Sequence, residues 1–152
     1  MRKHKFFDEY VVGETFKSYA RTLTEADLVN ITNIAGLKPP VFIDEEWCKK
    51  HSLYGTRIMP GLFTAIIAAG MLEDILGPYT LAALGLNDFK FSAPVFPGDT
   101  LHSLVTVDTK RDTSDGSRGI LSVSIDVINQ KGVTALSFKG AFLFSKEQQE
   151  LS

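Results

Sequence analysis

The chain has 152 residues, with 16 Lys and Arg against 18 Asp and Glu, a formal net charge of −2 and 44% hydrophobic residues. This is enough for one globular domain that buries roughly 70% of the surface its unfolded form exposes; the domain is expected over residues 1–152, with its core over about 7–144. The scattered basic residues leave no nucleic-acid footprint, the single Cys48 rules out an intramolecular disulfide and a metal pattern, and Asp8 and Glu9 interrupt the basic opening before any signal-peptide core. The expected setting is the cytoplasm, with no membrane or nucleic-acid partner.

Residues 6–16 read as a loop leading into a short strand over about 15–23. Thr24-Glu25-Ala26-Asp27 has the capping-box form, a hydroxyl with a carboxylate three residues on, and predicts a helix over about 25–35 that Gly36 ends. Lys38-Pro39-Pro40 reads as extended, and Asp44 as the N-cap of a short helix over about 45–51. The stretch that organises the chain comes next, Arg57 to Pro78. No charged side chain falls between Arg57 and Glu73, and apolar residues lie on every side of the helix expected over about 60–76. Such a helix is expected to be buried all round, with an N-terminus whose unpaired N–H groups and positive dipole end suit an oxyanion.

After Pro78 the period changes from 3.6 to 2. Residues 80–86 read as a connection, and strands are expected around 90–91, 101–108, 121–127 and 135–144, separated by turn-rich segments. The last residues, 146–152, read as a frayed tail. One apolar helix wrapped by a curved antiparallel sheet is an α+β architecture, the hot-dog fold. Its open sheet edge and exposed helix end call for a dimer.

Several segments together resemble one family, the MaoC-like R-specific enoyl-CoA hydratases and 3-hydroxyacyl dehydratases. They are Arg21-Thr22-Leu23-Thr24-Glu25-Ala26-Asp27, Arg57-Ile58-Met59-Pro60-Gly61-Leu62, Phe91 to Leu101 (FSAPVFPGDTL), and Asn129-Gln130-Lys131-Gly132. The resemblance implies an acyl thioester as ligand, with coenzyme A or acyl carrier protein as its carrier and no other cofactor or metal. It also implies a homodimer, or a heteromer with another MaoC-like chain. Gly61, Pro60, Thr64 and Pro40 become the expected substrate-binding residues, with the Gly61 N–H aimed at the thioester carbonyl.

The family's acid–base pair lies in a loop with the pattern Gly-Asp-x-Asn-Pro-x-His-x-Asp. In this chain the segment is Gly36-Leu37-Lys38-Pro39-Pro40-Val41-Phe42-Ile43-Asp44, so Leu37 stands at the Asp position and Phe42 at the His position. Neither side chain can move a proton, and no shift of register puts a carboxylate and an imidazole five residues apart here. The expectation is therefore an acyl-thioester-binding protein of the hydratase/dehydratase class without that pair. The alternatives are a hot-dog thioesterase that uses Asp44, His51 or Thr64, the degenerate partner of an active MaoC-like subunit, and a purely structural or regulatory domain. Asp44 is already accounted for as an N-cap, His51 as a cap at a helix end, and Thr64 as a hydroxyl bonded to its own helix. Arg57 and Lys90 are candidates for coenzyme A phosphates.

Overall fold

The computed structural model of the protein describes residues 4–146. The frayed tail expected beyond Lys146 lies outside the described residues. In chain order come a 3₁₀ turn at Phe7–Glu9, β1 at Thr15–Lys17, β2 at Arg21–Thr22, α1 at Glu25–Ala35, α2 at Pro40–Ile43, α3 at Glu45–His51 and α4 at Gly61–Leu76. The strands β3 (Thr80–Phe91), β4 (Thr100–Asp112), β5 (Arg118–Asn129) and β6 (Thr134–Ser145) follow. All pairings are antiparallel, in the order β1-β4-β5-β6-β3, with β2 also pairing with β4. The sheet wraps α4, which is the hot-dog arrangement.

The two periods meet along one seam. In α4 the buried residues are Thr64, Ile67, Ala68, Met71, Leu72, Ile75 and Leu76, a stripe at helical spacing. In β4 and β5 every second residue faces the same way: Leu101, Ser103, Val105 and Val107, then Leu121, Val123, Ile125 and Val127, all buried. The opposite face of α4 is not covered, which corrects the expectation of a helix buried all round. Leu62 is 70% exposed and Ile66 58%. A helix lying on one sheet shields only the face turned to that sheet.

Three further readings change. Residues 80–86 are not a connection but the first half of β3, whose pairing with β6 shifts register three times. Those shifts erase the alternation on which a strand is recognised. Leu81, Leu84, Leu86, Phe89 and Phe91 all stand exposed on it. The strand expected over 15–23 is two short strands, β1 and β2. Pro40, read as extended, is instead the first residue of α2, where its missing N–H costs nothing.

The motifs after the central helix form a structural knot. Asp99 Oδ2 accepts from the Phe96 N–H at 2.9 Å, and Asp99 Oδ1 accepts from Gln130 Nε2 at 2.7 Å. Gln130 Oε1 in turn accepts from the Thr100 N–H at 2.9 Å. Leu23 and the Gly98–Asp99 turn exchange backbone hydrogen bonds of 2.7 and 2.8 Å. At the far end of the molecule the chain's opening arm is pinned by Lys110, whose ammonium donates to the carbonyls of Phe7, Asp8 and Tyr10 at 3.2, 3.2 and 2.9 Å. The Phe7 ring fills the space a side chain at Gly119 would need, and Tyr10 sits edge-on to Phe144 at 5.3 Å.

The contrast along α4 can be measured. Ile67→Ala should lower the unfolding free energy by about 2–5 kcal/mol, whereas Ile66→Ala should cost less than about 1 kcal/mol in the isolated chain. Denaturant titration at low protein concentration checks both, and equal losses would mean that the outer face of α4 is covered.

Candidate functional site

The approach to α4 is held from two sides. The Ile58 N–H donates to the Val41 carbonyl at 3.2 Å, and the Met59 N–H to the Val95 carbonyl at 2.8 Å. Pro60 is the N-cap, with φ −58° and ψ 132° and no side-chain cap; its carbonyl accepts from the N–H groups of Phe63 and Thr64. Gly61 and Leu62, the first two helical residues, have no intrahelical acceptor for their N–H groups. These groups sit at the positive end of a 16-residue helix.

A cavity of about 430 Å³ opens at this helix end. Its walls are the first turn of α4 (Gly61, Leu62, Thr64), the end of β3 (Phe91), and the flanking Val95 and Leu136. Tyr54, Thr64 and Ser92 supply its only polar side chains, and no Asp, Glu, His, Lys or Arg borders it among the described residues. Thr64 is 2% exposed. Contrary to expectation its hydroxyl does not bond its own helix, and among the described residues it has no hydrogen-bond partner. Thr32, by contrast, donates to Leu28 and Val29 carbonyls at 2.9 Å in the manner expected of a helical threonine.

The remaining candidates lie elsewhere. Asp44 caps α3, its Oδ1 accepting from the Trp47 N–H at 2.8 Å. His51 ends α3 exposed, 5.5 Å from the Trp47 ring centre. Neither borders the cavity, and neither do Leu37, Phe42, Pro40 or Pro60. Leu37 follows α1, where its N–H donates to the Thr32 carbonyl at 2.9 Å, and Phe42 lies within α2. The sequence reading placed Gly61 and Thr64 at the site and missed Tyr54, Phe91 and Ser92. Phe91 and Ser92 open the FSAPV motif, which was the available signal.

Arg57 is not a free cation for a phosphate. Its Nε donates to Glu45 Oε2 at 3.0 Å, its guanidinium reaches Glu25 Oε1 at 2.6 Å, and its backbone N–H donates to Glu45 Oε2 at 3.2 Å. The Thr56 hydroxyl completes the clamp on Glu45 Oε1 at 2.8 Å. Thr56 first, and then Arg57, hold the Glu45 carboxyl below the usual carboxylate range. The clamp ties α1 and α3 to the run-in of α4.

The family described as "MaoC like domain" matches residues 8–128. The chain belongs to that family. The MaoC-like chain is 33% identical over 106 residues to "Protein MaoC" of Klebsiella aerogenes, a match covering 70% of this chain but only 31% of that protein. It is 29% identical over 105 residues to an "(R)-specific enoyl-CoA hydratase" of Rhodospirillum rubrum, covering 67% of this chain and 69% of the relative. Among solved structures, a "Monoamine oxidase regulatory protein" from Archaeoglobus fulgius superposes with a TM-score of 0.86 at 28% identity, covering 97% of this chain and 98% of that one. No helix of the described residues is long and apolar enough to cross a membrane.

The clamp gives a pH prediction for this MaoC-like chain. The folded-state pKa of Glu45 lies below its unfolded value, so the stability it contributes is present above the unfolded pKa and is lost as pH falls through the folded one. Between about pH 5 and pH 3, the wild-type melting temperature should therefore fall more steeply than that of Glu45→Gln. Parallel slopes would remove Glu45 from the clamp.

Proposed function

We propose that the protein binds acyl thioesters at the N-terminus of α4 and does so without the Asp/His pair that drives hydration in its class. The carrying observation is the cavity at Gly61: apolar walls, two unpaired backbone N–H groups at a helix end, three hydroxyls and, among the described residues, no Asp, Glu, His, Lys or Arg side chain in the lining. With Leu37 and Phe42 at the family's acid–base positions, such a site favours holding a thioester over protonating it. A thioesterase reading has less support, because Asp44 and His51 stand away from the cavity and Thr64 has no base beside it there.

The partner follows from the same geometry. Leu62 and Phe91 belong both to the cavity wall and to the exposed apolar face of α4 and β3. A second hot-dog chain laid across that face, a further copy or another MaoC-like subunit, would cover the β3 edge and close the cavity's open side. On this reading the carrier is coenzyme A or acyl carrier protein and the setting the cytoplasm.

The purified chain should bind butanoyl-CoA saturably by calorimetric titration. It should fail to hydrate trans-2-enoyl-CoA above background, as followed by loss of enoyl-thioester absorbance. Each acid–base group supplies about 10²–10⁴-fold, so robust turnover would overturn the reading. Absence of any acyl-CoA binding would overturn it as well.

A further inference from the structure

We infer that Phe91 sets which acyl groups reach the thioester position, acting as a hinged ring over the first turn of α4 that admits acyl chains unbranched at carbon 2. The inference rests on the acyl-thioester reading of the cavity and adds the residue that selects among such ligands.

The geometry is close. A β-carbon built on Gly61 would lie 2.8 Å from both Cδ1 and Cε1 of Phe91 and 3.5 Å from its Cγ. The phenyl ring therefore occupies the volume that a side chain at position 61 would fill. Gly61 is the residue whose N–H faces a thioester carbonyl in this site, so the ring stands where the first carbons beyond that carbonyl must pass. A carbon 2 with a single substituent presents little width there. A carbon 2 carrying two methyl groups meets the ring.

The ring has room to turn, while its backbone does not. Phe91 is the last residue of β3, paired with Leu136 in β6, and the next residue's N–H is bonded to the Ala135 carbonyl at 2.8 Å. The pivot is thus anchored to the sheet. In the single chain, however, the side chain is 51% exposed on the cavity's open side, and rotamer changes of side chains so exposed take only picoseconds to nanoseconds. Over Gly61 the ring also has an aromatic neighbour: Phe89 and Phe91 have ring centres 6.4 Å apart and planes within 14°, and Phe89 is itself stacked on Phe138 at 5.0 Å and 8°. Met59, Val95 and Leu136, which also border the cavity, are buried and adjust less. Leu62 is exposed as well, but the three atoms nearest a β-carbon built on Gly61 all belong to Phe91, so the adjustable width at Gly61 itself is the Phe91 ring's.

The test compares butanoyl-CoA with 2,2-dimethylpropanoyl-CoA by calorimetric titration on wild type, Phe91→Leu and Phe91→Ala. Wild type should prefer the unbranched ligand by about tenfold or more, in the range one steric mismatch supplies. Phe91→Ala should bring the two within about threefold, chiefly by improving the branched one, with Phe91→Leu between. An unchanged ratio in both variants would overturn the inference and leave the acyl-thioester reading standing. Failure of every protein to bind either ligand would overturn that reading, and the hinge is then judged without ligand. In Gly61→Ala the new methyl must displace the ring: if the ring is hinged, the melting temperature stays within about 3 °C of wild type, and a larger drop overturns the hinge.

Discussion

One seam carries the molecule: the stripe from Thr64 to Leu76 on α4 lying against the inward faces of β4, β5 and β6. A helix repeating every 3.6 residues and a strand repeating every 2 can share a core only where both patterns turn the same face inward. Because α4 is free of charge until Glu73, it can be pressed along almost its whole length into the sheet without burying an unpaired ion. The seam leaves two features uncovered. The N-terminal end of the helix presents N–H groups to a cavity, and its outer face, with Leu62 and Ile66 exposed, lies open in the single chain.

The motifs that mark the family divide into those that build this seam and those that would do chemistry. Asp99, Gln130 and Thr100 close a ring of hydrogen bonds that ties the turn before β4 to the hairpin between β5 and β6. Leu23 adds the start of α1 to the same knot. None of these groups needs a ligand to be useful. They hold strand ends in register, a purely structural role that a likeness running through most of the chain can rest on.

Sequence patterning was informative where one rule acted alone. The Thr24–Asp27 capping box, the Asp44 cap and the alternation in β4 and β5 each follow from local geometry, and each stands as expected. It failed where two effects overlapped. In β3 the bulges break the alternation, so Leu81 to Leu86 carry no visible period. In α4 the apolar residues on both sides concealed which side the sheet takes, because an exposed apolar face reads the same in sequence as a core face. At the site, Gly61 and Thr64 were legible because a helix start is visible in sequence. Phe91 was not, since its contact with Gly61 joins residues 30 positions apart, and Tyr54 enters the wall from a loop with no periodicity to read.

The pinned arm at the other end of the molecule joins parts of the chain that are made far apart in time. Phe7, Asp8 and Tyr10 are held by Lys110, and the pocket for the Phe7 ring is made by Gly119, about a hundred residues later. Tyr10 waits longer still, for Phe144. During synthesis these residues leave the ribosome before the strands that hold them, so their contacts with Lys110, Gly119 and Phe144 can close only once those strands have been made. Contacts of such long sequence separation form slowly, and until they close Phe7 and Tyr10, both buried in the folded chain, lack their final cover, the kind of exposed apolar surface on which chaperones and aggregation act.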